Sequence, residues 1–143
     1  MTTDQFDDLV RDTIAGKRAW FEGAEPPANA DDLAKVEAKL GHALPEQYEH
    51  FALTFGGGYF GGVNISTLSE KSSWYVLARP SIKINDSSML VISDDEAGGY
   101  YGFLLNADGF ESSVTYVSPD DGNSIEEAAP TFFDFVEKFA LNT

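Results

Sequence analysis

The first third of the chain has apolar residues at the three- and four-residue spacing of amphipathic helices. The first such stripe consists of Phe6, Leu9, Val10, Thr13 and Ile14. With Asp4 as the candidate N-cap, this stripe predicts a helix over residues 4–21. Gly23 and the pair Pro26 and Pro27 cannot continue a helix, so they end it.

Two shorter stripes follow and predict a second and a third helix. The second helix has Asp31 or Asp32 as its candidate N-cap and Gly41 at the position of a left-handed C-cap. The third begins near Pro45 and ends at the glycine cluster 56–58. The apolar positions of the two helices are Leu33, Val36, Leu40, Tyr48, Phe51, Ala52 and Phe55.

After the glycine cluster the period changes from 3.6 to about 2, which is typical of strands. Short runs rich in aromatic and β-branched residues predict five strands. They cover residues 59–65, 73–79, 89–93, 100–105 and 113–118. The connections from residue 89 onward are too short for crossover helices, so we expect these strands to be antiparallel.

The chain then returns to a helical pattern near its C-terminus. Residues 124–127 resemble a capping box, and Pro130 lies early in the segment that follows. The apolar stripe of this helix is Phe132, Phe135, Val136 and Phe139. Helices, then strands, then a helix predict an α+β fold, with a mostly antiparallel sheet of about five strands and helices on one side. A length of 143 residues predicts a single domain.

Composition bears on compartment and on redox chemistry. The chain has no cysteine, which excludes a disulfide framework, a thiolate metal site and a cysteine nucleophile. The first ten residues carry acids where a secretory signal carries bases, and no apolar run approaches the roughly 20 residues that span a bilayer. We therefore expect a cytoplasmic protein.

Charge excludes one large class of partners. The chain has 24 acidic and nine basic residues, and eleven of the acids, with one base, lie from Asp94 onward. Such a field repels nucleic acids and anionic membranes, because binding to both depends on lysine and arginine. It attracts a basic protein and accelerates its association. Solubility alone is the simpler interpretation of the same charge.

Three patterns in the sequence resemble catalytic or metal sites. The glycines at 56, 58 and 61 match a dinucleotide-binding spacing, but a helix precedes them and a strand follows, which reverses the required order. His42 and His50 lack the spacing of a metal site. The acids at 94–96 and 120–121 lack the spacing of a calcium loop. We therefore predict no catalytic residue, metal or cofactor, with a carboxylate-based hydrolase as an alternative.

Acidic turns beside aromatic residues predict a protein-binding face, because interfaces combine aromatic anchors with complementary charge. The candidate residues are Asp94, Asp95, Glu96, Tyr100, Asp108, Glu111, Asp120 and Asp121. The alternative is that the aromatic residues alternate into the core and only the acids are exposed.

Several motifs, taken in order, resemble those of the SUKH superfamily, also called the Smi/Knr-like domain. The first motif is V-E-x-x-L-G-x-x-L-P-x-x-Y-x-x-F at residues 36–51, followed by the glycine cluster. The second is M-L-V-I-S-D-D at 89–95 followed by G-G-Y-Y-G-F at 98–103, and the third is A-A-P-T-F-F-D-F-V at 128–136. The resemblance covers residues 31–141, and the N-terminal helix within residues 1–25 lies outside it.

The resemblance implies an α+β domain that binds another protein. In many bacteria such domains are immunity proteins that neutralise a toxin, often a nuclease, and in fungi they regulate cell-wall synthesis. Together with the charge, it predicts an immunity protein for a cognate, basic nuclease toxin, acting as a monomer or weak homodimer. A regulatory scaffold for a cellular protein is the alternative.

Overall fold

The computed structural model describes residues 1–122 and 124–142 of the chain. Its helices are α1 (Thr3–Gly16), α2 (Ala30–Leu40), α3 (Glu46–Thr54) and α4 (Phe132–Phe135), and α4 continues as a π-helical segment, Val136–Leu141. Its strands are β1 (Ala24–Glu25), β2 (Gly57–Phe60), β3 (Val63–Ile65), β4 (Ile82–Ile84), β5 (Ser87–Asp94), β6 (Tyr100–Asn106), β7 (Gly109–Phe110), β8 (Val114–Ser118) and β9 (Ser124–Ala129). Short 3-10 helices cover Arg18–Phe21, Val76–Ala78 and Pro119–Asp121.

The strands form two antiparallel sheets. The main sheet has the order β4-β5-β6-β8-β9, with β7 paired to the end of β6, and it is strongly curled. The small sheet has the order β1-β2-β3. The fold is therefore α+β, as the sequence predicts, with one more sheet than expected.

The helices meet one face of the main sheet in a core of aromatic rings. Phe51 of α3 is fully buried, and its ring centroid lies 4.9 Å from that of Phe60 and 5.4 Å from that of Phe132. Phe6 of α1 stacks on Phe133 of α4 at 3.9 Å with an interplanar angle of 10°. These contacts join α1, α3, α4 and the small sheet into one packed layer.

A second, smaller cluster lies on the opposite face of the main sheet, because side chains alternate between the two faces of a strand. Its buried members are Ile82, Ile84, Met89, Val91 and Val117. Tyr100 and Leu104 pack against it from β6. Tyr101, which follows Tyr100 in β6, packs against the helical core on the other face of the sheet.

The helix boundaries differ from the predictions by up to five residues. The predicted helix 4–21 ends at Gly16, and Arg18–Phe21 form a separate 3-10 helix. Thr2 caps α1 and Asn29 caps α2, each with a full capping box, so Asp4 and the pair Asp31 and Asp32 lie inside the first turns. Acids are favourable there because they face the positive end of the helix dipole. Gly41 is the left-handed C-cap that the sequence predicts, with φ of 74°.

Two predicted elements are wrong. Residues 73–79 form a 3-10 turn and one isolated bridge to Thr67, because the Trp74 N–H donates to the hydroxyl of Ser72 and its carbonyl accepts from Thr67. Residues 124–127 form strand β9 in place of a helix cap, because pairing with β8 outweighs the local capping pattern. The predicted strand 59–65 divides into β2 and β3, and the additional strands are β1, β4 and β7.

The glycine cluster ends α3 and continues directly into β2. Gly56, Gly57 and Gly58 all have positive φ, which confirms the turn interpretation of this motif. A Cβ atom on Gly56 would lie 2.2 Å from the carbonyl oxygen of Glu25. The backbone of β1 therefore approaches a position that only glycine can occupy.

We expect Gly56→Ala to lower the free energy of unfolding by about 3 kcal/mol or more, because strain and a backbone clash add. Gly41→Ala is the matched control, since its φ is also positive and a Cβ there meets no atom within 4 Å. It should cost about 1 kcal/mol. Urea denaturation of both variants measures the difference, and equal losses would contradict the close approach.

Candidate functional site

A cleft of about 410 Å³ opens where the small sheet meets one end of the main sheet. Its walls carry three carboxylates and three aromatic rings, and we call it the acidic cleft. These residues are Asp94, Asp95, Glu96, Tyr59, Tyr101 and Phe139. Another groove, of about 260 Å³, lies between the end of α2 and β5, but its charged side chains are the bases Lys39 and Arg79. The acidic cleft is therefore the better match to a basic partner.

Arg79 fixes the back wall of the acidic cleft. Its guanidinium donates to Asp94 Oδ2 at 2.6 Å and to Ser66 Oγ at 2.9 Å, and also to the side-chain oxygen of Asn64. Only 11 % of the Arg79 side chain is exposed. The charge of Asp94 is thus balanced by Arg79, and the pair holds β5 against β3.

Asp95 organises the turn that joins β5 to β6. Its Oδ1 accepts from the N–H groups of Ala97 and Gly99 at 2.9 and 2.8 Å, and its Oδ2 accepts from the Tyr116 hydroxyl at 2.6 Å. The hydrogen bond from Tyr116, supported by the two backbone bonds, lowers the pKa of the Asp95 carboxyl. Asp95 therefore acts mainly as a structural anion.

Glu96 is the most accessible carboxylate of the acidic cleft. Its backbone has a positive φ of 59°, and its N–H donates to Asp94 Oδ1 at 2.8 Å. Its carboxylate accepts a hydrogen bond from the hydroxyl of Tyr59 at 3.1 Å, and this bond raises the pKa of Tyr59. The turn thus presents one carboxylate beside one exposed ring.

Packing holds the aromatic rings of the cleft in place. Tyr59 is 48 % exposed, and its ring lies edge-on to Trp74 at 4.8 Å. Tyr101 lies 5.2 Å from Phe139, and burial together with nearby carboxylates raises its pKa. The ammonium group of Lys138 lies 5.0 Å from the centre of the Phe139 ring. Tyr59 and Tyr101 have the rigid, amphipathic form of interface anchors.

The sheet topology divides the eight predicted residues between two ends of the sheet. The turns 95–99 and 119–122 lie together, since a Cβ on Gly98 would be 2.8 Å from Asp120 Oδ2. Asp120 therefore lies beside the turn that follows Asp95 and Glu96, next to the acidic cleft and outside its lining. Asp108 and Glu111 flank the hairpin at the far end of β6, and Tyr100 packs against the small cluster on the other face. The side chain of Asp121 lies outside the described part of the chain.

Several residues that form or support the cleft are not among the site residues predicted from the sequence. Tyr59 and Phe139 line the cleft, and Arg79 lies behind it in contact with Asp94. The three residues come from segments far apart in the chain, and only the fold brings them together. One feature of the sequence indicates a special role for Arg79, since it is the only arginine after Arg18. A single arginine in an apolar segment is typical of a buried ion pair.

The histidines have structural contacts. His50 Nε2 lies 2.7 Å from Asp7 Oδ1, which joins α3 to α1, and the His42 ring packs edge-on to Phe110. Over residues 1–122 and 124–142, no group of three or more histidines or acids is placed to hold a metal ion. No helix in these same ranges has the length and apolarity needed to cross a membrane.

We expect Asp95→Asn to lower the free energy of unfolding by about 1–2 kcal/mol at pH 7, because the bond from Tyr116 loses its charged acceptor. The Asp95 pKa is lowered in the folded state, so its contribution is complete above the unfolded pKa of about 3.9. The difference between the two proteins should shrink as the pH falls through and below that value. Urea denaturation at several pH values measures it.

Asp108→Asn is the matched control, since it also removes one carboxylate from a turn of the main sheet and Asp108 is exposed. It should change the free energy of unfolding by less than about 0.5 kcal/mol. A difference for Asp95→Asn that persists unchanged at pH 2.5 would contradict the role of the carboxylate charge.

No curated protein matches this sequence. A family model, SUKH_6, described as SMI1-KNR4 cell-wall, matches residues 30–136. The match begins at the first residue of α2 and includes every strand from β2 to β9, so it covers most of the acidic cleft and omits α1 and Phe139. The chain belongs to the SMI1-KNR4 family of SUKH domains.

Proposed function

We propose that this protein is an immunity protein that binds a basic protein toxin at the acidic cleft and keeps it inactive in the cytoplasm. Membership of the SUKH family is consistent with an immunity-type or SMI1-KNR4-like protein. One observation carries the proposal: the carboxylates of Glu96 and Asp120 lie at the same end of the sheet as the exposed ring of Tyr59.

The acidic cleft has the chemistry to receive a lysine or arginine side chain. Glu96 supplies a carboxylate that accepts charge-assisted hydrogen bonds. Tyr59 supplies an exposed ring face for a cation–π contact. Because Arg79 and Asp95 already hold the walls, binding requires little ordering of this protein.

A nuclease is the toxin that this surface fits best. A nuclease needs a positive surface to hold phosphates, and an acidic protein competes directly for that surface. Covering it prevents substrate binding and needs no catalytic residue in the inhibitor. The exposed acids then set the association rate, and the aromatic rings set the dissociation rate.

A regulatory scaffold for a cellular protein is the second candidate, and the cell-wall description of the matching family favours it. The two differ in the protein that is captured. A pull-down from the native source followed by mass spectrometry separates them. A basic nuclease encoded by the adjacent gene supports the immunity function, and a cell-wall enzyme or its regulator supports the scaffold.

We expect the association rate with the captured toxin to fall at least tenfold between about 50 and 500 mM NaCl, because salt screens exposed charges. The double variant Glu96→Gln/Asp120→Asn should weaken binding about tenfold or more in 50 mM NaCl. Stopped-flow fluorescence measures both. A growth assay with co-expressed toxin should show loss of protection for the same variant.

The matched control is Asp8→Asn/Asp12→Asn, which removes the same charge from the exposed side of α1. It should bind within about twofold of the wild-type protein. An association rate that does not change with salt, or equal effects of the two double variants, would refute the role of the acidic cleft.

A further inference from the structure

Strand β9 is an exposed edge of the main sheet. Within the described residues, β8 is the one strand that pairs with it. The side chains from Ser124 to Glu127 are exposed. Alternate residues of an edge strand direct their N–H and C=O groups away from the sheet, where another chain can pair with them.

The other edge strands of the protein are shorter. β1, β3, β4 and β7 have two, three, three and two residues, against six in β9. The residue after β3 is also covered, because the N–H of Ser66 donates to the carbonyl of Ile92 in β5 at 2.7 Å. β9 is therefore the edge of the described structure that best fits an incoming strand.

The side chains of β9 select the chemistry of such a strand. Glu126 lies opposite Tyr116, on the face where the Tyr116 ring packs on Tyr101 at 4.9 Å. Ile125, which is 44 % exposed, and Glu127 lie on the other face, by alternation. Each face of the edge thus carries one carboxylate, and one face also offers an apolar contact.

Charge argues against a second copy of this chain at the edge. Antiparallel pairing of two β9 strands would bring Glu126 and Glu127 of both copies close together, and like charges on facing strands are destabilising. The formal net charge of −15 adds to that repulsion. A strand with basic residues makes the opposite, favourable pairs.

We propose that β9 is a docking edge at which an extended, basic segment of the partner protein adds a strand to the main sheet. This inference rests on the proposed function, because the partner is the same basic protein. Tyr116 links the two surfaces, since its hydroxyl donates to Asp95 in the turn beside the cleft and it lies opposite Glu126. Main-chain hydrogen bonds supply affinity, and the two glutamates supply selectivity.

The first test uses a hexapeptide of alternating arginine and valine as the probe, with amide hydrogen exchange followed by NMR. Alternate amides within 124–127 should exchange at least tenfold more slowly when the peptide is bound. A control peptide of the same charge, with proline in place of the central valine, should not slow them, because proline removes a donor and disrupts the ladder. Equal slowing by both peptides, or slowing confined to the acidic cleft, would overturn the proposal.

The second test reverses the charge of the edge with Glu126→Lys/Glu127→Lys, after circular dichroism has verified folding. The affinity of this variant for the arginine–valine peptide should be at least tenfold lower than that of the wild-type protein. The variant should instead bind a peptide of alternating glutamate and valine. An unchanged preference for the arginine–valine peptide over the glutamate–valine peptide would overturn the proposal. The proposal would also be overturned if sedimentation showed that the wild-type protein is a dimer and that the variant is a monomer. A second copy of the chain would then occupy the edge.

The captured toxin separates this inference from the proposed function. Loss of toxin binding in Glu96→Gln/Asp120→Asn but not in the β9 variant would leave the proposed function intact and refute the docking edge. Loss of toxin binding in both variants supports both the proposed function and the docking edge. Full toxin binding by both variants refutes both.

Discussion

The position of the acidic cleft depends on one nearly buried cation. A guanidinium loses most of its hydration in such a place, and it is tolerated only where acceptors replace the lost water. Arg79 finds them in Asn64 of β3, Asp94 of β5 and Ser66 between them. One side chain therefore fixes the small sheet against the main sheet and anchors an otherwise irregular segment.

This arrangement divides the acids at this end of the main sheet into two kinds. Asp94 and Asp95 are satisfied by internal donors and maintain the shape of the turn. Glu96 and Asp120 extend toward solvent with no cation of this chain within salt-bridge distance among the described residues. Like charges placed close together destabilise a folded protein. Surfaces that carry such unpaired charges are typical of binding sites.

The local features of the fold could be predicted from the sequence, and the features that depend on pairing could not. The stripes of α1, α2 and α3 and the alternating runs of β5, β6 and β8 are local patterns, so their existence was predicted correctly. β9 was missed because its Ser-x-x-Glu pattern suits a helix cap as well as an edge strand. The run 73–79 resembles a strand because it is rich in aromatic residues. In the structure, Trp74 of this run packs against Arg79.

The candidate site shows the same limit. The acids at 94–96 and at 120 were correctly identified as neighbouring a turn, but which turns lie together follows from the register of β6 with β8. That register also sends Asp108 and Glu111 to the opposite end, although they are close to the others in sequence. β4 was within reach of the sequence analysis, because Ile82 and Ile84 alternate just before the Asn85–Asp86 turn.

Helix α1 lies outside the region shared with the family, yet Phe6 is fully buried and stacked on Phe133. A fragment trimmed to the shared region would leave the ring faces of Phe133 and Phe55 in water. The hydrophobic core thus extends beyond the region shared with the family, because α1 covers an aromatic surface that residues 30–136 would leave exposed.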